Sequence, residues 1–150
     1  MLEAYLGWQR ATLLNICAGL SAEQLAQRPL ATSNLSLLGL VRHLAKVERI
    51  WFRQRAGREP VEPFYDLSLG KDHDFAALDP AQAPEAIDRL RAEWQAADAA
   101  AARLSFDDTF ELDGEPFSLR MVYVHMIGEY ARHNGHADVL REAIDGATGR

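Results

Sequence analysis

The stretch from Ser118 to Ile144, SLRMVYVHMIGEYARHNGHADVLREAI, constrains the fold more than any other part of the chain. Leu119, Val122, Met126, Tyr130, Ala137, Leu140 and Ile144 recur at helical spacing, so a long helix with one buried face is predicted here. Glu129 and His133 fall within or at the edge of that same face. An unpaired ionised carboxylate in an apolar interior costs several kcal/mol or is driven neutral, so Glu129 is expected to have a partner. Glu129 and His133 are four apart and project together from successive turns, an arrangement by which one helix supplies two ligands to a divalent cation. A third ligand must then come from a second helix.

The remainder of the chain supplies the other helices. Leu2, Tyr5, Leu6, Trp8, Ala11, Thr12, Leu13, Ile16 and Leu20 keep a helical period and predict a first helix ending near Gly19. Ser21-Ala-Glu-Gln24 has the form of a capping box and opens a short helical turn that Pro29 closes. Ser36 is placed to cap a second helix ending at Gly57, with Leu37, Leu40, Val41, Leu44, Val47, Ile50 and Trp51 on its core face and His43 pointing inward beside them. Residues 57 to 80 have no sustained period and read as a long crossover over the bundle, the kind of segment that often serves as a lid or binding element. A third helix is predicted from Pro84 to Leu104, with Ile87, Leu90, Trp94, Ala97, Ala101 and Leu104 inward. Asp113-Gly114, flanked by alternating apolar residues, is placed to turn a small hairpin before the fourth helix.

Composition then excludes several classes of function. At 150 residues and 48% hydrophobic content, the chain fits one domain spanning 1–150. A net charge of −6 gives no footprint for nucleic acid, which is held mainly by clustered Lys and Arg. The single cysteine, Cys17, sits in an apolar helical stretch and reads as a small buried hydrophobe, consistent with a reducing compartment. The N-terminus carries acidic and polar residues in its first turns and no membrane span, so a cytoplasmic location is expected. There is no Gly-rich phosphate loop, no Cys-x-x-Cys and no nucleophilic Ser between glycines.

Taken singly, His43 is better explained by a hydrogen-bonded core position than by a metal. Glu129 and His133 would equally make an ordinary i, i+4 surface contact if they faced solvent. Three such groups facing inward from two helices make a shared cation as good a reading as separate core contacts. His125 and His136 compete as ligands, or serve by donating a hydrogen bond that orients one. Lys71-Asp72-His73-Asp74 reads as a solvated polar turn despite a superficial likeness to a metal loop. Arg42, Arg132 and Asn134 adjoin the candidates and are placed to touch a polar substrate, although exposed helix-face polarity explains each.

The segments SLLGLVRHLAKVERIWF (36 to 52) and HMIGEYARHNGHADVLREAIDG (125 to 146) resemble the DinB/YfiT-like superfamily, in particular members related to mycothiol-dependent maleylpyruvate isomerase. The resemblance spans nearly the whole chain. It implies an all-α four-helix bundle of up-down-down-up topology with one long crossover loop, a homodimer, and a divalent metal held by the second and fourth helices. Many members carry three histidines, whereas the mycothiol-linked branch has glutamate in place of the first histidine of the fourth helix. By position this implies His43, Glu129 and His133 as ligands, acting catalytically through the metal, and it agrees with the set reached from the residues alone. No part of the chain corresponds to the extra C-terminal domain of the isomerase, so the isomerase reaction itself is not expected.

Three protein ligands leave an open position on Zn²⁺, the expected metal, although Ni²⁺, Fe²⁺ and Mn²⁺ accept the same donors. A low-molecular-weight thiol there would be deprotonated and attack a small electrophile, giving a thiol S-transferase in conjugation or detoxification. Water there would give a hydrolase. A third expectation is a metal-binding stress-response bundle without turnover, its metal offsetting the burial of Glu129.

Overall fold

Side chains that accept from free backbone N–H groups set where three of the helices begin. In the computed structural model, which describes residues 1–65, 68, 70 and 73–149, helix α1 (Leu2–Cys17) is followed by the short α2 (Ala22–Ala26). The Ser21 hydroxyl accepts from the Gln24 N–H at 3.2 Å and the Gln24 side chain accepts from the Ser21 N–H at 2.9 Å, completing the predicted capping box. Ser36 caps α3 (Leu37–Glu48) by accepting from the Gly39 N–H at 3.0 Å. After α4 (Ala83–Ala101), strands β1 (Thr109–Leu112) and β2 (Glu115–Ser118) pair antiparallel. Asp113 and Gly114 turn them at φ 53° and 84°, the left-handed pair that such a tight hairpin requires. Ser118 then caps α5 (Leu119–Asp145), which Gly146 ends at φ 78°.

The described residues are thus mostly helical, with one small hairpin. Helix α1 packs chiefly on α5 and α3 on α4, and α3 also meets α5. Leu6, Leu13, Leu40, Leu44, Leu90, Met126, Tyr130 and Leu140 are fully buried between them. No helix of the described residues is long and apolar enough to cross a membrane.

The second helix departs from expectation at its far end. From Arg49 to Ala56 it continues as a π-helix, with the Gly57 N–H reaching back five residues to the Phe52 carbonyl at 2.8 Å. The wider turn rotates the side chains relative to an α-helix. Phe52, 1% exposed, takes the core position predicted for Trp51, and the Trp51 ring instead stacks on His125 at 4.1 Å between centroids. In α1 the predicted core face is likewise corrected. Tyr5 and Trp8 are 53% and 59% exposed, while Gln9 and Arg10 are buried.

Arg10 is buried because it has partners. Its Nε and Nη2 donate to the two oxygens of Glu48 at 2.7 and 2.8 Å, and its Nη1 donates to Asp98 at 2.8 Å. The Tyr130 hydroxyl donates to Glu48 Oε1 at 2.9 Å and accepts from the Trp94 indole N–H at 2.8 Å. One hydrogen-bonded chain therefore joins α1, α3, α4 and α5. Burial pushes the Glu48 carboxyl upward, with Arg10 and Tyr130 opposing it, and the forked contact with both carboxylate oxygens is that of an ionised pair. Burial disfavours charge on Arg10 too, but the Glu48 hydrogen bonds and charge outweigh it and raise the guanidinium above its usual range.

A row of cations along α3 and its π extension holds the crossover. Arg42 donates to the Ala76 carbonyl at 3.2 Å and lies over the Tyr65 ring; Lys46 pairs with Asp74. Arg49 donates to the Glu62 carbonyl at 2.7 Å and lies over Phe64, and Arg53 pairs with Glu59 at 2.7 Å. Both Arg49 and Arg53 also grip the buried carboxylate of Glu93 on α4. Arg42, expected as exposed helix charge, is therefore a buried anchor for this segment.

Candidate metal centre

His43 faces α5 from the middle of α3, and Glu129 and His133 face it from successive turns of α5. Each offers one ligand atom, and these atoms all lie within 4.8 Å of one another. Glu129 Oε2 is 3.4 Å from His133 Nε2 and 4.0 Å from His43 Nε2. Donors bound tetrahedrally at about 2.0–2.1 Å from one ion stand roughly 3.4 Å apart, so small rotations of the side chains suffice to fit a cation. The side chains are 20%, 20% and 12% exposed for His43, Glu129 and His133, so the cluster is partly desolvated yet reachable from solvent.

The protonation of the donors agrees with the fit. Burial, followed by the electrostatic influence of the neighbouring His43 ring, pushes His133 down to about 4, so its ring is neutral near pH 7, the form in which an imidazole binds a cation.

The rings are held from behind by different groups. His43 Nδ1 is 3.0 Å from Asp74 Oδ2, and Asp74 also pairs with Lys46. Burial works to raise the Asp74 carboxyl, but the hydrogen bonds from His43 and Lys46 win and hold it below the ordinary carboxylate range. His133 Nδ1 meets His136 Nδ1 at 3.3 Å. Among the described residues the clustered donors are His43, Glu129 and His133, and His136 lies beside them. His125 also stands apart, lying against Trp51, and burial lowers its pKa.

The reading of the polar run at 71–74 as a solvated turn needs correction. Lys71 and Asp72 lie outside the described residues, but Asp74 is 1% exposed and bonded to a candidate ligand. It sits in a short 3₁₀ turn, His73–Phe75, whose Phe75 ring lies 5.5 Å from that of His43. Gly39, one turn before His43, makes this approach possible, because a Cβ there would stand 2.5 Å from a Phe75 ring carbon. No pattern in residues 57–80 announces Asp74, since a loop has no period against which an inward carboxylate stands out. Asn134 is also corrected, from substrate contact or exposed polarity to a buried donor to the Gln9 carbonyl and side chain. Arg132 is exposed, as expected.

The chain's one thiol is not part of this centre. Cys17 is buried, and burial pushes it up to about 12, so it is no nucleophile near neutral pH.

No curated protein sequence and no solved structure matches the chain. A family model described as mycothiol S-transferase matches residues 1–146, nearly the whole length, and by that match the chain belongs to the mycothiol S-transferase family.

Proposed function

We propose that the chain is a metal-dependent thiol S-transferase that joins a low-molecular-weight thiol of the mycothiol type to a small electrophile, in conjugation or detoxification. In this reading His43, Glu129 and His133 are catalytic through the metal they hold. The observation that carries the proposal is the convergence of their ligand atoms within 4.8 Å, at a part-open site, in a member of this family. Three protein donors leave a coordination position free, the pattern of a catalytic and not a structural site. When bound, a divalent ion supplies the charge that lets a thiol lose its proton near neutral pH. Zinc is the proposed ion because it takes imidazole and carboxylate donors in open tetrahedral sites.

The chain's own residues do the rest. Because Cys17 is buried and protonated, the attacking sulfur belongs to a second substrate. In the transfer a sulfur–carbon bond forms, the bond from that carbon to its leaving group breaks with the electron pair going to the leaving group, and the thiol proton passes to solvent. Phe75 and Trp51, both partly buried, pack against His43 and His125 and make the surroundings of the ligand-bearing turns aromatic. The proposal includes one domain with the up-down-down-up order of α1, α3, α4 and α5, supported by the α1–α5 and α3–α4 packing. It also includes a homodimer, supported by Tyr5, Trp8, Val124 and Val139, which α1 and α5 leave exposed. Sedimentation of the purified protein tests the dimer.

The function is tested by loading the protein with Zn²⁺ and supplying mycothiol with a chlorodinitrobenzene-type electrophile. Thiol-dependent conjugate is expected, and it is lost in His43→Ala and Glu129→Ala. Thiol-independent turnover of an ester or amide overturns the transferase reading in favour of a hydrolase. Firm metal binding without turnover across a broad panel overturns it in favour of a non-catalytic bundle.

A further inference from the structure

We infer that Asp74 is a positioning residue for the centre: it dictates which nitrogen of His43 is free to bind a cation. A neutral imidazole has one N–H and one lone pair, and the group facing either nitrogen selects between the two arrangements. His43 Nδ1 stands 3.0 Å from Asp74 Oδ2. A carboxylate only accepts, so Nδ1 must carry the hydrogen, and the lone pair is left on Nε2. That nitrogen is the one facing Glu129, with His133 beyond it.

The support is built to stay in place. Asp74 is 1% exposed, so water does not compete for its oxygens. Lys46, three residues beyond His43 on α3, pairs with the same oxygen, so the carboxylate is tied to the helix that carries the ligand. Phe75, packed against Gly39, fixes the turn that delivers it. The crossover therefore contributes to the centre without supplying a ligand. Among the described residues, the group that meets His133 Nδ1 is the exposed imidazole of His136. The two histidines are thus oriented unequally, His43 by a buried carboxylate and His133 by a second, exposed imidazole.

The consequence for metal affinity rests on the metal-centre reading above, but the tautomer of His43 does not. The test is a long-range ¹⁵N–¹H spectrum of the metal-free wild type, Asp74→Asn and Asp74→Ala, together with Zn²⁺ affinity by competition with a chromophoric chelator. At a pH high enough to keep the imidazole neutral, the wild type is expected to show His43 in the Nδ1–H form alone. An Asn amide can donate to Nδ1, and an Ala gives nothing, so both variants are expected to populate the Nε2–H form and to bind Zn²⁺ about 10–100-fold more weakly. Far-UV circular dichroism checks the fold. Should the Ala variant not fold, the nearly isosteric Asn variant decides alone. Observing His43 as Nε2–H in the wild type, or an unchanged tautomer with affinity within twofold in the folded variants, overturns the inference. If the wild type binds no Zn²⁺, the proposed function fails, and the spectra of the metal-free proteins still decide the role of Asp74.

Discussion

Replacing Arg10 by Met is the most direct probe of what holds the four long helices in register. The side-chain stem and its packing are largely kept, while the Glu48 carboxylate, 0% exposed, loses both of its charged donors and retains only the Tyr130 hydroxyl at 2.9 Å. Breaking a buried pair from one side leaves an uncompensated charge and costs about 3–5 kcal/mol. Domain stabilities are about 5–15 kcal/mol, so this is a large share of the total. The contact from Arg10 to Asp98 adds little, because that carboxylate is 60% exposed. The variant also acquires a pH signature. Stripped of Arg10, Glu48 takes up a proton in the folded state at a pH well above its unfolded value, so the native form binds the extra proton and stability falls as pH rises through that range. Urea denaturation followed by circular dichroism and tryptophan fluorescence at pH 6 and pH 8 measures both effects. Adding Glu48→Met to Arg10→Met removes the orphaned charge and should restore most of the loss, which a double-mutant cycle reports as a coupling. A loss below about 1 kcal/mol for Arg10→Met, equal at both pH values, would refute the argument.

Zn²⁺ at a hundred times its dissociation constant should stabilise the protein by about 2.7 kcal/mol, raising the melting temperature by roughly 5–10 °C at this chain length. A chelator should reverse the rise, Glu129→Ala should abolish it, and no rise in the wild type sinks the metal centre. In the metal-free protein, stability should decline as pH falls from about 6.5 toward 4, because the unfolded His133 takes up its proton first and the folded ring, pushed down to about 4, follows late. The loss is on the order of 3 kcal/mol at most, and urea midpoints across that range should flatten in His133→Gln. Below that window the contribution of Asp74, whose carboxyl is held low, is lost in turn as it protonates. Gly39→Ala should cost about 1–3 kcal/mol and weaken Zn²⁺ binding, because the added methyl displaces Phe75 and with it Asp74. Gly128→Ala on α5 is the control: nothing lies within 4 Å of its added Cβ, so it should be neutral or stabilising by up to about 1 kcal/mol.

Helix starts were legible wherever a local hydrogen bond decides them, at Ser21, Ser36 and Ser118, and the hairpin was legible from Asp113-Gly114. Glu129 and His133 stood out because a polar group on an apolar stripe is anomalous within a single helix. The same reasoning reaches Glu48, which follows Leu37, Val41 and Leu44 along the core face of α3 and is buried with them. The face of α1 was misjudged for a physical reason. Tyr5 and Trp8 fit the apolar period as well as Leu6 and Leu13, and what turns Arg10 inward is a partner on another helix, 38 residues away. The π turn after Glu48 has no local signature in composition, yet it decides whether Phe52 or Trp51 enters the core. Asp74 depends on tertiary contact altogether, since its neighbours in sequence are loop residues and its partners, His43 and Lys46, lie on α3.

The setting of α5 about its own axis links the buried network to the site. Apolar contacts are non-directional, and a helix held by them alone can rotate or slide slightly at little cost. A metal site tolerates displacements of only about 0.5 Å. In α5 each candidate ligand is followed immediately by a buried polar residue bonded to another helix. Tyr130, after Glu129, donates to Glu48 on α3 at 2.9 Å, and Asn134, after His133, donates to the Gln9 side chain on α1 at 2.8 Å. The two pairs sit four residues apart and pull on neighbouring elements, so together they resist both rotation and translation of the stretch that carries the ligands. His43 is fixed on the opposite side by the acid at its back. The buried polar groups, which an apolar core would dispense with, thereby convert a bundle that needs only to be packed into one whose facing donors stay within reach of a single ion.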